Sequence, residues 1–177
     1  LRCSLMWNES GKDNSDLDLW CIQPNNEKIG FNTGFRKDSG GSFSSCSGQL
    51  DLDIRHPDGK IAVENIYFTN PNKMKDGKYK FYVHQYSSRN SQNFKAEIEF
   101  NGEIYNYHYP KAVSGSINIA TVTLKDGQFS IEHHLPETAS SKKLWNLDTN
   151  QFHKVNLVCL SPNFWGDNNT GNKHYMF

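Results

Sequence analysis

Four aspartates stand at alternate positions in two short runs. Asp16 and Asp18 alternate with Leu17, Leu19 and Cys21, and Asp51 and Asp53 alternate with Leu50, Leu52 and Ile54. A strand sends successive side chains to opposite faces, so each run has one apolar face and one acidic face. Aspartate is disfavoured in strands. Carboxylates about 4–6 Å apart repel by ~1 kcal/mol per pair even in water. A hard cation reverses that sign, and calcium collects about six to eight oxygens from carboxylates, amides and carbonyls. The expected metal ligands are therefore Asp16, Asp18, Asp51 and Asp53, joined by Glu64 and Asn65 from the following strand. Asp13 and Asn14 are supplements. The same pattern also fits an outer sheet face whose acids meet solvent, a Lys or Arg55. No contiguous D-x-D-x-D-G loop is present.

Other chemistry-bearing residues are less well arranged. There are 7 histidines. His133 and His134 are adjacent on a strand pattern, so they point to opposite faces and do not easily share a metal. His84 and His108 alternate onto polar faces. The 4 cysteines (Cys3, Cys21, Cys46 and Cys159) lack the close spacing of a zinc site. Their even number permits two disulfides without choosing a connectivity, while Cys3 and Cys21 fall on apolar faces as core thiols do. No G-x-S-x-G elbow occurs, and Gly40-Gly41-Ser42 reads as loop. Glu97 and Glu99 share a solvated face. Tyr105, Tyr107 and Tyr109 share a strand face and are the candidate ligand-binding residues, because an aromatic strip stacks on sugars or forms protein interfaces. Cross-strand packing accounts for the same strip.

The elements that must position these groups are short strands. Alternation predicts strands over Leu1–Trp7, Asp16–Gln23, Glu27–Phe31, Leu50–Ile54, Ala62–Phe68, Lys78–Gln85, Asn93–Phe100, Glu103–Tyr109, Ser116–Leu124 and Gln128–His133. Asn101-Gly102 and Asp126-Gly127 are two-residue hairpin turns, and His56-Pro57-Asp58-Gly59 is a further turn. Asn32–Gly48 is a long loop rich in Ser, Gly and Asn. After Pro136 the pattern changes: Glu137–Leu147 predicts a short helix, Phe152–Leu160 another strand, and the rest a tail. The fold class is all-β, an antiparallel β-sandwich of about nine to eleven strands with a short C-terminal helix and extended tail. Residues 1–135 form the sandwich domain, and 136–177 are an extension of it. Trp145, Phe164 and Trp165 are expected to anchor that extension.

Composition narrows the function classes. The 177 residues carry 19 Lys plus Arg against 19 Asp plus Glu. A formal charge of zero argues against nucleic acid as a partner and against electrostatic attachment to anionic membranes. No apolar run approaches the ~20 residues of a membrane span. Sequons occur at Asn8-Glu9-Ser10 and Asn168-Asn169-Thr170. The start at Leu1 and the end at His174-Tyr175-Met176-Phe177 read as the limits of a portion of a longer protein.

One resemblance covers roughly 1–127. Leu5 and Trp7, then Asp16, Asp18 and Leu19, then Pro24 and Ile29 follow one another in order. Gly48, Leu50, Asp51 and Asp53 come next, then Glu64, Asn65 and Ile66, and finally Gly77, Tyr79 and Val83. This succession resembles the YfaP-like bacterial domains, β-sandwiches of uncharacterised function that accompany extracytoplasmic modules. Those domains commonly carry Gly-Pro before Glu-Asn-Ile, where this chain has Lys60-Ile61-Ala62-Val63. The resemblance implies a sandwich with an accessory role in an extracytoplasmic or secreted setting.

The expected function is thus a non-enzymatic binding or assembly module, calcium-stabilised, that recognises a protein or glycan. The recognition surface is the Asn32–Gly48 loop or the tyrosine strip. The alternative is a structural subunit that self-associates, and a hydrolase has the least support.

Overall fold

The computed structural model describes residues 1–31 and 46–138, with four two-residue strand segments beyond them. Ten strands build two five-stranded sheets, in which every neighbouring pair is antiparallel. The first sheet contains β1 (Arg2–Trp7), β4 (Gly48–Leu50), β5 (Ala62–Phe68), β7 (Phe94–Phe100) and β8 (Glu103–Tyr109), in the order β4-β5-β1-β7-β8. The second contains β2 (Asp16–Ile22), β3 (Lys28–Ile29), β6 (Gly77–Ser87), β9 (Ser116–Lys125) and β10 (Gln128–His133), in the order β10-β9-β6-β2-β3. The chain is all-β, and the two sheets have the arrangement of a β-sandwich.

Alternation builds the core. Cys3, Leu5 and Trp7 of β1, Leu17, Leu19 and Cys21 of β2, and Phe94 and Ile98 of β7 have no exposed surface. The inward row of β5 runs Ala62, Glu64, Ile66, Phe68, so one carboxylate sits in a core-facing position. Asn101 and Gly102, like Asp126 and Gly127, have positive φ, the backbone of the two-residue turn that matches strand twist. Among the described residues no helix is long and apolar enough to cross a membrane.

The two long edges of the sandwich are closed differently. At one, Phe100 of β7 meets Phe129 of β10 with ring centroids 5.4 Å apart. There the Tyr107 hydroxyl lies 2.8 Å from Nδ1 of His133. At the other, β3 and β4 are very short. Gly48 lies so close to Ile29 and Phe68 that a Cβ on it would stand 2.4 Å from the Ile29 Cδ1.

Two expectations need correction. The Leu50–Ile54 strand stops at Leu50. Asp51 ends it by accepting its neighbour's amide, Leu52 N–H at 2.7 Å, a local side-chain bond that competes with the sheet ladder. Leu52 is consequently 56% exposed instead of facing the core. The helix expected over Glu137–Leu147 is not seen among the described residues of that run. Glu137 bridges Tyr107 in antiparallel fashion, and Thr138 N–H donates to the Asn106 carbonyl at 2.8 Å. Lys143–Leu144 pairs with Leu147–Asp148, and Cys159–Leu160 with Tyr175–Met176. The remainder of that run, most of Phe152–Leu160, residues 32–45 of the long loop, and Trp145, Phe164 and Trp165 lie outside the described residues.

Candidate functional site

The short edge strands create a gap, and one buried side chain fills it. β3 pairs only with Cys21 and Ile22, so the edge of β2 is uncovered at Leu19. Glu64 reaches across from the other sheet. One of its oxygens (Oε2) accepts Leu19 N–H at 2.9 Å, and the other (Oε1) accepts Ile54 N–H at 3.0 Å. Leu19 and Ile54 are the chain neighbours of Asp18 and Asp53. Glu64 therefore draws the segment after β4 against β2 and sets those two aspartates side by side. A register irregularity between Asp16 and Leu17 matches Asp16 to Ser87 and Leu17 to Gln85, which leaves Tyr86 unmatched beside Asp16.

The result is a three-carboxylate cluster. Asp16, Asp18 and Asp53 each offer an oxygen, and these oxygens all lie within 4.8 Å of one another. They line a cleft of about 180 Å³ together with Phe31, Arg55 and Tyr86. Asp16 and Asp18 are 5% and 4% exposed. Arg55 Nε pairs with Asp53 Oδ2 at 3.1 Å. Among the described residues none donates a hydrogen bond to the Asp16 carboxylate.

The electrostatics follow from that crowding. Burial, then the charges of Asp16 and Asp53, push Asp18 up to about 7; Arg55 and a hydrogen bond from Trp20 oppose the rise. Asp16 is raised by burial and by Asp53, against Arg89, His56 and Arg55. Burial raises Glu64 to about 8, although its two backbone bonds favour the charged form, and Asp18 and Asp53 add to the rise. Like charges held in a poorly solvated place favour protonation or a counter-cation.

The structure thus joins three of the six expected metal ligands and separates the others. Asp51 is paired with Asn65 instead: its carboxylate accepts Asn65 N–H at 2.8 Å and Nδ2 at 2.7 Å. Asn65 also accepts Ser4 Oγ at 2.6 Å. Glu64 lies behind the cleft with both oxygens engaged. Asp13 accepts Ser15 N–H and Gln92 N–H, and Asn14 accepts Asp58 N–H, so both staple loops. Phe31, Arg55 and Tyr86 are the lining residues that sequence reasoning missed as a set. Tyr86 at the polar end of the β6 alternation was the available signal.

Tyr105, Tyr107 and Tyr109 do share a face, and it is the inner one. Their cross-strand partners are Ile98, Ala96 and Phe94. Tyr107 is 1% exposed, Tyr105 stacks on Phe100 and Tyr109 on Phe94. The strip closes the core edge and presents no open platform. Cys3, Cys21 and Cys46 are all buried in the core. Asn8 of the first sequon is buried, its amide donating to the Lys60 carbonyl and accepting Asp13 N–H.

Fold and cleft together describe an antiparallel β-sandwich with an anionic cleft at one edge. No family model matches the chain, and neither a curated protein nor a solved structure matches it.

Proposed function

We propose that the chain is a non-enzymatic binding module whose acidic cleft takes a divalent cation. Calcium is the candidate because the donors are all oxygen and the cleft is open to further oxygen ligands. The observation that carries this reading is the approach of three carboxylates within 4.8 Å, two of them nearly buried and one, Asp16, without a hydrogen bond among the described residues. A cation there would relieve the repulsion and tie β2 to the segment after β4. Any ligand that binds only the folded state stabilises it, by roughly 2.7 kcal/mol at a hundredfold excess over Kd. The accessory, extracytoplasmic role implied by the YfaP-like resemblance belongs to the same proposal.

The test is isothermal calorimetry with calcium on the wild type and on Asp53→Asn, with thermal unfolding of both. Heat and a raised Tm in the wild type, both abolished in the variant, support the reading. A wild type that shows neither sinks it.

A further inference from the structure

We propose that the same cleft is the docking site for a lysine or arginine side chain of a protein partner. The inference rests on the cleft being a cation site, as above, but not on calcium being its occupant.

Three observations point to an organic cation. The first is the rim. Among the described residues the exposed large hydrophobics are Phe31, Leu52, Ile61 and Tyr86, at 37%, 56%, 56% and 72%. Phe31 and Tyr86 line the cleft, and Leu52 is the chain neighbour of Asp53. A carboxylate cluster alone suffices for a metal ion, but ring faces add attraction for an ammonium or guanidinium, and apolar walls accommodate the stem behind it. The second is size. About 180 Å³ is below the ~300 Å³ at which pockets for drug-sized ligands begin, yet it suits the head of one long side chain. The third is chemistry already in place. Arg55, with a 58% exposed side chain, lays its guanidinium on Asp53 at the cleft wall. Asp16 and Asp18 remain as further carboxylates of the lining, and Asp16 is 5% exposed without a hydrogen bond among the described residues. Carboxylates set beside the rings of Phe31 and Tyr86 are the combination that receives an organic cation.

The experiment measures fluorescence anisotropy of a labelled lysine-containing peptide in EDTA, with a matched acetyl-lysine peptide as control. Binding of the lysine peptide with loss on acetylation is expected. Tyr86→Ala is expected to weaken it roughly tenfold, and Tyr86→Phe to leave it near wild type, as a ring contact with a cation requires. Tyr86 is 72% exposed, so these variants keep the fold. Absence of binding at millimolar protein, equal binding of the acetylated peptide, or indifference to Tyr86→Ala each overturns the proposal. Calorimetry with calcium alone is read separately. Heat with calcium but no peptide binding defeats this inference and leaves the metal reading standing, whereas peptide binding without calcium heat does the reverse.

Discussion

Glu64 in the first sheet accepts the backbone amide of Leu19 in the second at 2.9 Å. That bond substitutes for the strand neighbour that Leu19 lacks where β3 ends. Removing the carboxylate orphans two amides, those of Leu19 and Ile54. Each buried donor left without a partner costs roughly 1–3 kcal/mol. Urea unfolding is therefore expected to rank the wild type above Glu64→Gln, which keeps one acceptor, and Glu64→Gln above Glu64→Ala. A Glu64→Ala protein as stable as the wild type would refute the clamp.

The same neighbourhood predicts a pH dependence. Glu64 is raised from 4.5 to about 8 and Asp18 from 3.8 to about 7, chiefly by burial. The folded state then binds protons more tightly than the unfolded chain between those values. Stability contributed by the neutral forms is complete below about pH 4 and is lost as pH rises through 7 and 8. The metal-free protein is expected to show a lower Tm at pH 8 than at pH 5, with calcium recovering most of the difference at pH 8. A metal-free Tm that climbs over this range would contradict the argument.

Neutralising one member of the cluster separates stability from binding. Asp18→Asn removes a buried charge that Asp16 and Asp53 both oppose. Its metal-free Tm at pH 8 is expected to exceed that of the wild type, while its response to calcium disappears. A site built for cations pays for its affinity in this way, since uncompensated like charges are held together in the empty state. Loss of stability at pH 8 in Asp18→Asn would show that the carboxylate is needed for the fold and not for an occupant.

Much of the fold was legible because period-two alternation is set by burial on one side of each sheet. Ala62–Phe68, Glu103–Tyr109 and Gln128–His133 have the limits that alternation predicts. It failed at Asp51, where a side-chain bond to Leu52 N–H defeated a continuing Leu-x-Leu-x-Ile pattern. The cleft was legible in half. Acids on strand faces announced Asp16, Asp18 and Asp53, but alternation cannot tell which strands end early. The shortness of β3 and β4 places Asp53 in the cluster and leaves Asp51 with Asn65. Nor does alternation say which face of a sheet is inward, and the tyrosines of β8 illustrate this.

Those tyrosines yield the last prediction. Tyr107 is 1% exposed and its hydroxyl meets His133 Nδ1 at 2.8 Å, across the edge where the two sheets are joined. Tyr107→Phe keeps the ring and loses that bond, a change of about 0.5–1.5 kcal/mol. Tyr107→Ala opens a cavity in the core edge, and deleting a buried aromatic costs roughly 3–5 kcal/mol. A residue on an open recognition platform behaves in the opposite way, with truncation sparing stability and removing a ligand. Chemical denaturation of the two variants distinguishes these roles. A loss in Tyr107→Ala several times that in Tyr107→Phe assigns the strip to the core, and two variants as stable as the wild type would return it to the surface.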